Sequence, residues 1–152
     1  MKIISDLDSF LLERAKLQEK EKIAFIPTMG NLHNGHISLI RDAKKIAGKI
    51  IVSIFINPMQ FSGNEDYETY PRTKESDENI LKEEGVDFLF SPSSEIIYSN
   101  TIDDHTKLEI PSLGKLVRGA SWPKHFSGVA TIVCKLFNIV RPDVAFFGKK
   151  DF

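Results

Sequence analysis

The sequence is poor in the features that mark secreted, membrane-spanning and nucleic-acid-binding proteins. Cys134 is the one cysteine in 152 residues, which excludes an intrachain disulfide and is typical of a reducing compartment. No long apolar run occurs, so we expect neither a signal peptide nor a membrane span. The 20 basic and 21 acidic residues give a net charge of -1, without the basic excess of a general nucleic-acid binder. These absences predict a soluble, cytoplasmic protein that binds neither membranes nor nucleic acid.

Short apolar runs alternate with stretches of helical periodicity along the chain. Continuous apolar runs predict buried strands at Ile23–Pro27, Ile50–Ile56, Asp87–Phe90 and Val144–Phe147. Apolar residues at helical spacing predict helices at Leu7–Gln18, Gly35–Ala47, Thr73–Gly85 and Phe126–Val140. Buried strands that alternate with helices form parallel βαβ units, so we expect one α/β domain with a doubly wound parallel sheet.

Two further expectations are less regular. Residues 91–123 interrupt the alternation, and there we expect a short edge strand at Lys107–Ile110 and a short helix near Leu113–Arg118. Cys134 lies in the apolar helix Phe126–Val140, where we expect it to be a core residue.

A motif with two histidines follows the first predicted strand. In open α/β sheets, ligands bind beyond the carboxyl ends of the strands. The glycine spacing does not fit a dinucleotide-binding loop, and a P-loop needs a lysine and a hydroxyl residue where His36 and Ile37 stand. The His-x-Gly-His pattern of nucleotidylyl transferases fits without adjustment. The whole segment reads Pro27-Thr28-Met29-Gly30-Asn31-Leu32-His33-Asn34-Gly35-His36.

The spacing of His33 and His36 suits chemistry at a nucleotide phosphate. Residues three apart at a helix start share one face, so both imidazoles can reach the same triphosphate. Attack on the α-phosphorus builds charge on the phosphoryl oxygens, which oriented donors stabilise. A helix N-terminus supplies typically about 0.3–1 kcal/mol, which is too little, so side-chain donors are required. The structural alternative is that the two histidines are a turn residue and a helix cap.

Three polar residues elsewhere are candidates for the same site. Gln60 lies past the second long strand, where its amide can donate to a carboxylate or hydroxyl. Lys150 follows the last strand, and Asp77 lies early in a helix, where it can approach a magnesium ion. The alternatives are a loop glutamine, a solvated lysine and an exposed helix acid. His125 and Arg118 are weaker candidates for a dimer contact or for a mobile edge of the site.

Further segments, taken with the histidine motif, give the chain a specific family resemblance. From Ile23 onward it resembles the N-terminal part of the pantoate–β-alanine ligase (pantothenate synthetase) family. Other His-x-Gly-His enzymes lack the Asn-Pro-Met-Gln-Phe and Tyr-Pro-Arg-Thr segments. The matching segments are Ser53-Ile54-Phe55-Ile56-Asn57-Pro58-Met59-Gln60-Phe61, Tyr70-Pro71-Arg72-Thr73, Phe88-x-Phe90-x-Pro92, Ile97-Tyr98, His125-Phe126-x-Gly128-Val129 and Phe147-Gly148-Lys149-Lys150-Asp151.

The resemblance implies an activity and a set of site residues. The family has a Rossmann-like fold and joins pantoate to β-alanine through a pantoyl adenylate, using ATP with Mg²⁺ and forming pantothenate, AMP and pyrophosphate. His36 would be the proton donor, with His33 and Lys150 also catalytic, and pantoate and β-alanine would contact Gln60, Met29 and Pro27. A homodimer is also implied. The ATP site would comprise Met29, Gly30, Asn31, Leu32, His33, Asn34, Gly35, His36, Gly148, Lys149, Lys150 and Asp151.

The chain also departs from the family pattern. Family members continue past position 152 with a glutamine pair, a further strand, a phosphate-binding loop and a small C-terminal lid domain. The resemblance therefore predicts that residues 1–152 are an N-terminal ATP- and pantoate-binding domain without its lid, with little synthetase activity alone. Lys149 stands where many members carry glutamate. The alternatives are another small nucleotidylyl transferase, which Asn57–Phe61 argues against, and a non-catalytic domain that binds ligand or dimerises.

Overall fold

The apolar runs of the sequence form strands, and most of the periodic stretches form helices. The computed structural model describes residues 1–17, 21–61, 64–98, 106–109 and 122–149. The strands are β1 (Lys2–Ile4), β2 (Ile23–Thr28), β3 (Lys49–Ile54), β4 (Phe88–Phe90) and β5 (Val144–Ala145). The helices are α1 (Leu7–Ala15), α2 (Asn34–Lys44), α3 (Asn64–Thr69), α4 (Lys74–Glu83), α5 (Ser94–Tyr98) and α6 (Trp122–Val140), and a 3-10 turn covers Pro58–Gln60. Within the described ranges, no helix has both the length and the apolar character needed to cross a membrane.

The five strands form one parallel sheet in the order β1-β4-β3-β2-β5. β2 pairs with β3 from Ile23, opposite Lys49, to Thr28, opposite Ile54, and its other edge pairs with β5. The first four residues of β2 are buried, as expected of a parallel strand that is covered on both faces. The predicted α/β fold with a doubly wound parallel sheet is confirmed.

Two apolar cores lie on opposite faces of this sheet. Successive strand residues point to opposite faces, so Phe25 packs with α1, α5 and α6, whereas Ile26 packs with α2 and α4. In β3, Ile51 packs in the same core as Phe25, and Val52 packs in the same core as Ile26. The carboxyl ends of β2 and β3 therefore lie side by side between two helical layers.

The predictions for the irregular segment and for Cys134 fail for identifiable reasons. Residues 107–109 form no strand, because the N–H and carbonyl of Leu108 bond to the Thr131 and Ser127 hydroxyls of α6. Ile110 and the helix predicted near residues 113–118 lie outside the described residues. Cys134 is exposed, because α6 turns Ile132 and Leu136, one turn apart, toward the core.

Helix α6 approaches the 3-10 turn closely enough to require a glycine. A Cβ on Gly128 would lie 2.7 Å from the Met59 carbonyl carbon, would overlap its oxygen, and would lie 3.0 Å from the Gln60 nitrogen. These neighbours are backbone atoms, which cannot rotate away as the end of a flexible side chain can. The absence of a side chain at Gly128 therefore sets how near α6 lies to the turn that carries Gln60.

We predict that Gly128→Ala lowers the free energy of unfolding by about 1–3 kcal/mol, the cost of overpacking a close contact. Gly48→Ala is the matched control, because a Cβ there meets nothing within 4 Å, and its effect should stay within about 0.5 kcal/mol. Urea denaturation of the three proteins measures the difference. Equal stability of the two variants would show that α6 can move away from the turn at no cost.

Candidate active site

The loop between β2 and α2 is closed by two histidines that cap the helix. His33 is the N-cap of α2, and its Nδ1 accepts the Gly35 N–H at 3.1 Å. His36 Nδ1 in turn accepts the His33 N–H at 3.3 Å. A Cβ on Gly35 would lie 2.8 Å from the His33 ring, so the cap needs glycine at this position. The cap, which was the structural alternative for these histidines, is present.

The same cap decides which ring nitrogen of each histidine carries the proton. Because each Nδ1 accepts a backbone N–H, the proton of the neutral ring must be on Nε2. The ring centroids of His33 and His36 are 4.2 Å apart, with His33 exposed and His36 half-buried. Two Nε2–H groups thus lie on adjacent rings, which suits donation to the oxygens of one phosphate.

A buried carboxylate fixes the start of this loop. Asp77 is 2% exposed, and its oxygens accept the N–H groups of Asn31 at 2.9 Å and Leu32 at 2.8 Å. The Thr73 hydroxyl donates to it at 3.1 Å. Gly30 and Asn31 have φ angles of 81° and 52°, and this left-handed turn brings their backbone to the carboxylate. The alternative, that Asp77 is an exposed acid on a helix, is therefore wrong.

The backbone N–H groups of this loop, from Gly30 to His33, donate to acceptors within the protein. Gly30 N–H bonds to the Thr28 hydroxyl, the next two N–H groups bond to Asp77, and the His33 N–H bonds to His36. An anion at this turn therefore has to be bound mainly by side chains.

The described residues do not fit a magnesium ion held by protein ligands. They contain no group of three or more His, Cys, Asp or Glu side chains that could hold a metal. The oxygens of Asp77, the predicted ligand, already accept two N–H groups and a hydroxyl. A metal at Asp77 would have to share a buried carboxylate that already accepts three hydrogen bonds, out of about four acceptor positions.

Gln60 comes to the histidine loop from the neighbouring strand end. It closes the 3-10 turn after β3, and its Nε2 lies 3.7 Å from Met29 Sδ. The N-terminal part of α6 holds this turn, since His125 Nδ1 lies 2.8 Å from the Gln60 carbonyl and must donate to it. The residues that the sequence predicted at this edge and that the structure brings together are Pro27, Met29, Gly30, Asn31, Leu32, His33, Asn34, Gly35, His36 and Gln60.

Two residues of the site's support were missed by sequence reasoning. Asn57 is buried and bonds to the Gln60 side chain at 2.9 Å, and Tyr98 bonds to Asn57 at 2.6 Å. The available signal for Asn57 was Asn-Pro, since Asn often caps a turn whose next residue is proline. Tyr98 lies 41 positions further along the chain, so no local pattern connects the two.

The last predicted segment reaches the other side of β2. β5 pairs with Ala24 and Phe25, which brings the half-buried Gly148 and the exposed Lys149 to the edge of β2 opposite β3. Lys150 and Asp151 lie outside the described residues. The histidine loop thus follows the strand where the chain order of the sheet reverses, which is where α/β sheets bind ligands.

A cavity of about 400 Å³ opens on the β3–β4 side of the loop. It is lined by Met29, Gly30 and Asp77 but by neither histidine and not by Gln60. The cavity and the catalytic candidates therefore share only the turn after β2, through Met29 and Gly30.

With this geometry established, comparison with known proteins assigns the chain to a family. The family model for pantoate–beta-alanine ligase matches residues 1–152. The chain belongs to the pantoate–β-alanine ligase family. The resemblance of its motifs to that family is confirmed.

Relatives of the pantoate–β-alanine ligase family are close in sequence and longer than this chain. Pantothenate synthetases from Shewanella woodyi and Shewanella loihica are 56% and 58% identical over 132 residues, which is 87% of this chain and 47% of each relative. The chain spans about half the length of the curated relatives it matches.

Solved structures of the family share the fold. A pantoate–beta-alanine ligase from Francisella tularensis, complexed with beta-gamma ATP and beta-alanine, gives a TM-score of 0.89 at 42% identity over 95% of this chain and 55% of that one. Pantothenate synthetase from Thermus thermophilus gives 0.87 at 41% identity, over 99% of this chain and 53% of that one. The predicted Rossmann-like fold is thereby confirmed.

We predict that Asp77→Asn lowers the free energy of unfolding by about 1–3 kcal/mol, because a loop N–H then faces an amide donor in place of an oxygen. The amides of Asn31 and Leu32 should also exchange hydrogen faster. Glu75→Gln is the matched control, since Glu75 is an exposed acid in the first turn of the same helix. Urea denaturation and amide hydrogen exchange, both without metal, check this.

A magnesium-binding role for Asp77 would give a different result. The metal-free variant and wild type would then be equally stable, and Mg²⁺ alone would stabilise only the wild type.

Proposed function

We propose that the chain carries the adenylation site of an enzyme that condenses pantoate with β-alanine, using ATP. One juxtaposition carries the proposal, in a chain of this family. Two imidazoles with Nε2–H groups lie in the loop after β2, and the Gln60 amide, which follows β3, contacts Met29 of the same loop. The imidazoles suit a phosphate group, and a side-chain amide suits the oxygens of a hydroxy acid. The ATP and β-alanine of the Francisella tularensis complex support the same substrates.

The first step is the adenylation of pantoate. A carboxylate oxygen of pantoate attacks the α-phosphorus of ATP, the bond to the bridging oxygen breaks, and pyrophosphate leaves with the electron pair. Negative charge grows on the phosphoryl oxygens, and His33 and His36 donate hydrogen bonds to them. His36 takes the proton-donor role, while Gln60, Met29 and Pro27 hold the pantoate.

The second step transfers the pantoyl group to β-alanine. The neutral amine attacks the acyl carbon of the adenylate, the carbon–oxygen bond to AMP breaks, and AMP leaves with that electron pair. The amine nitrogen loses a proton, which gives pantothenate. Gln60, already beside the acyl group, is the residue that meets β-alanine.

Both flanks of β2 would contribute to nucleotide binding. The Met29–His36 loop lies at one flank, and Gly148 and Lys149 follow β5 on the other. We propose that Lys150 and Asp151, the next residues in the sequence, also contact ATP and that Lys150 interacts with its phosphates. Magnesium enters with ATP as part of the substrate, since Mg²⁺ usually keeps several waters and binds substrate phosphates. No step requires Asp77 as its ligand.

We predict that His36→Asn slows pantoate-dependent exchange of pyrophosphate into ATP by about 10²–10³-fold, the cost of losing one transition-state donor. Asparagine keeps an acceptor oxygen near the position of Nδ1, so the cap on His33 survives while the Nε2–H is lost. His36→Gln, which places an amide N–H near the position of Nε2, should restore part of the rate. Lys45→Ala, at the far end of α2, is the control that should leave the rate unchanged.

Calorimetry with ATP and with pantoate separates the remaining outcomes. The chain spans about half of its relatives' length, and we expect it to bind both substrates while exchanging pyrophosphate more slowly than they do. Binding without any exchange would favour the alternative of a non-catalytic ligand-binding domain. No heat with either substrate would contradict the proposed site itself.

We further propose that the chain forms a homodimer, as the family resemblance implies. Sedimentation velocity should then give twice the 17.2 kDa of one chain. A single species of monomer mass over the whole concentration range would contradict it.

A further inference from the structure

The buried amide of Asn57 has all four of its hydrogen-bonding positions in use. Its Oδ1 accepts the Met59 N–H at 3.3 Å, and its Nδ2 donates to the Gly128 carbonyl at 3.1 Å. A backbone N–H can only donate and a carbonyl can only accept, so these two contacts fix which end of the amide is oxygen. The second Nδ2 proton goes to Gln60 Oε1 at 2.9 Å. Gln60 must therefore turn its own Nε2 away from Asn57, toward Met29.

The remaining position on Asn57 Oδ1 is taken by Tyr98. The phenol donates at 2.6 Å, the shortest of the bonds to this amide. Tyr98 is 2% exposed, and burial raises the pKa of its phenol, so it stays a donor throughout the neutral range. Lys135 lies over the ring, 5.5 Å from its centroid, and donates to the Ile97 carbonyl, which holds the ring from the side of α6.

We propose that Tyr98 is a positioning residue that, through Asn57, holds Gln60 with its amide N–H₂ group directed at substrate oxygens. The inference deepens the proposed function and rests on it. Without the phenol, Asn57 Oδ1 keeps only the longer bond from Met59. The Asn57 amide, and with it the Gln60 side chain, is then held less firmly, so the Gln60 N–H₂ group is directed at the substrate less of the time.

A fixed N–H₂ end has a consequence for specificity. It donates to a carboxylate, a carbonyl or a hydroxyl oxygen, whereas the Oε1 end would attract an amine. The Tyr98–Asn57–Gln60 chain therefore favours a hydroxyl or carboxylate oxygen of the substrate at this position and disfavours the ammonium group of β-alanine there. A tyrosine that served only to fill the core, where it packs 6.1 Å from the Phe55 ring, would have no such effect.

The test is Tyr98→Phe in the 152-residue chain, labelled with ¹⁵N. Phenylalanine keeps the ring and removes the donor. The side-chain N–H₂ signals of Gln60, assigned from their loss in Gln60→Ala, should shift or broaden. The Kd for pantoate should rise about five- to tenfold, as expected for one hydrogen bond, while the Kd for ATP stays unchanged.

Tyr67→Phe is the matched control, because it removes the same hydroxyl from a tyrosine that packs against Phe61 and Arg72. It should move neither the Gln60 signals nor the pantoate affinity. Unchanged Gln60 signals in Tyr98→Phe would overturn the positioning role. Altered signals with unchanged pantoate affinity would overturn the role in specificity.

Two further outcomes are distinguishable. If the wild-type chain binds no pantoate, the proposed function fails, and the Gln60 signals still decide whether Tyr98 positions this amide. If Tyr98→Phe folds poorly, the same question is put to the wild-type chain. A Gln60 amide held as described must show nuclear Overhauser effects to the Met29 methyl group. Their absence would overturn the inference.

Discussion

The geometry of the histidine loop depends on the buried carboxylate of Asp77. A buried charge is costly unless it is fully hydrogen-bonded, and Asp77 receives two loop N–H groups and a hydroxyl. Its place in the first turn of α4 adds the favourable end of the helix dipole. The loop also depends on the carboxylate, because leaving its N–H groups without acceptors would cost free energy. Carboxylate and loop therefore hold each other in one conformation.

The two parts of the site are supported from opposite faces of the sheet. Asp77 holds the histidine loop from the layer of α2 and α4. Tyr98, through Asn57, and His125 hold the 3-10 turn from the layer of α5 and α6. The two parts meet where Gln60 approaches Met29. This division follows from the parallel sheet, whose strand ends are the one place where residues reached from both layers lie side by side.

Local patterns in the sequence predicted the fold, and long-range contacts account for what they missed. The continuous apolar runs at Ile23–Pro27 and Ile50–Ile56 locate the central strands, because burial on both faces leaves no polar alternation to confuse the pattern. β1 was missed because it is three residues long with only Ile4 buried.

The residues of the candidate site also divide into those that local patterns predict and those whose contacts are long-range. His33, His36 and Gln60 could be named from motifs and from their position after strands. The loop residue Asn31, which donates to Asp77, lies 46 positions from it, and Asn57 lies 41 positions from Tyr98. Neither contact produces a periodic pattern in the sequence. In the sequence, an acidic residue at helical spacing gives the same pattern whether its side chain faces solvent or a loop. Which of the two it faces is decided by the crossover connections of the sheet.

The histidine motif also shows that a structural and a chemical reading of one residue need not compete. Capping uses Nδ1 of each ring, and a neutral imidazole that accepts at Nδ1 has to carry its proton at Nε2. The cap therefore fixes the tautomer and orients the donor at once. A serine or aspartate would cap α2 as well, but neither would keep a second nitrogen for a phosphate. Histidine at both positions is explained by the two uses together, and glycine at position 35 by its close approach to the His33 ring.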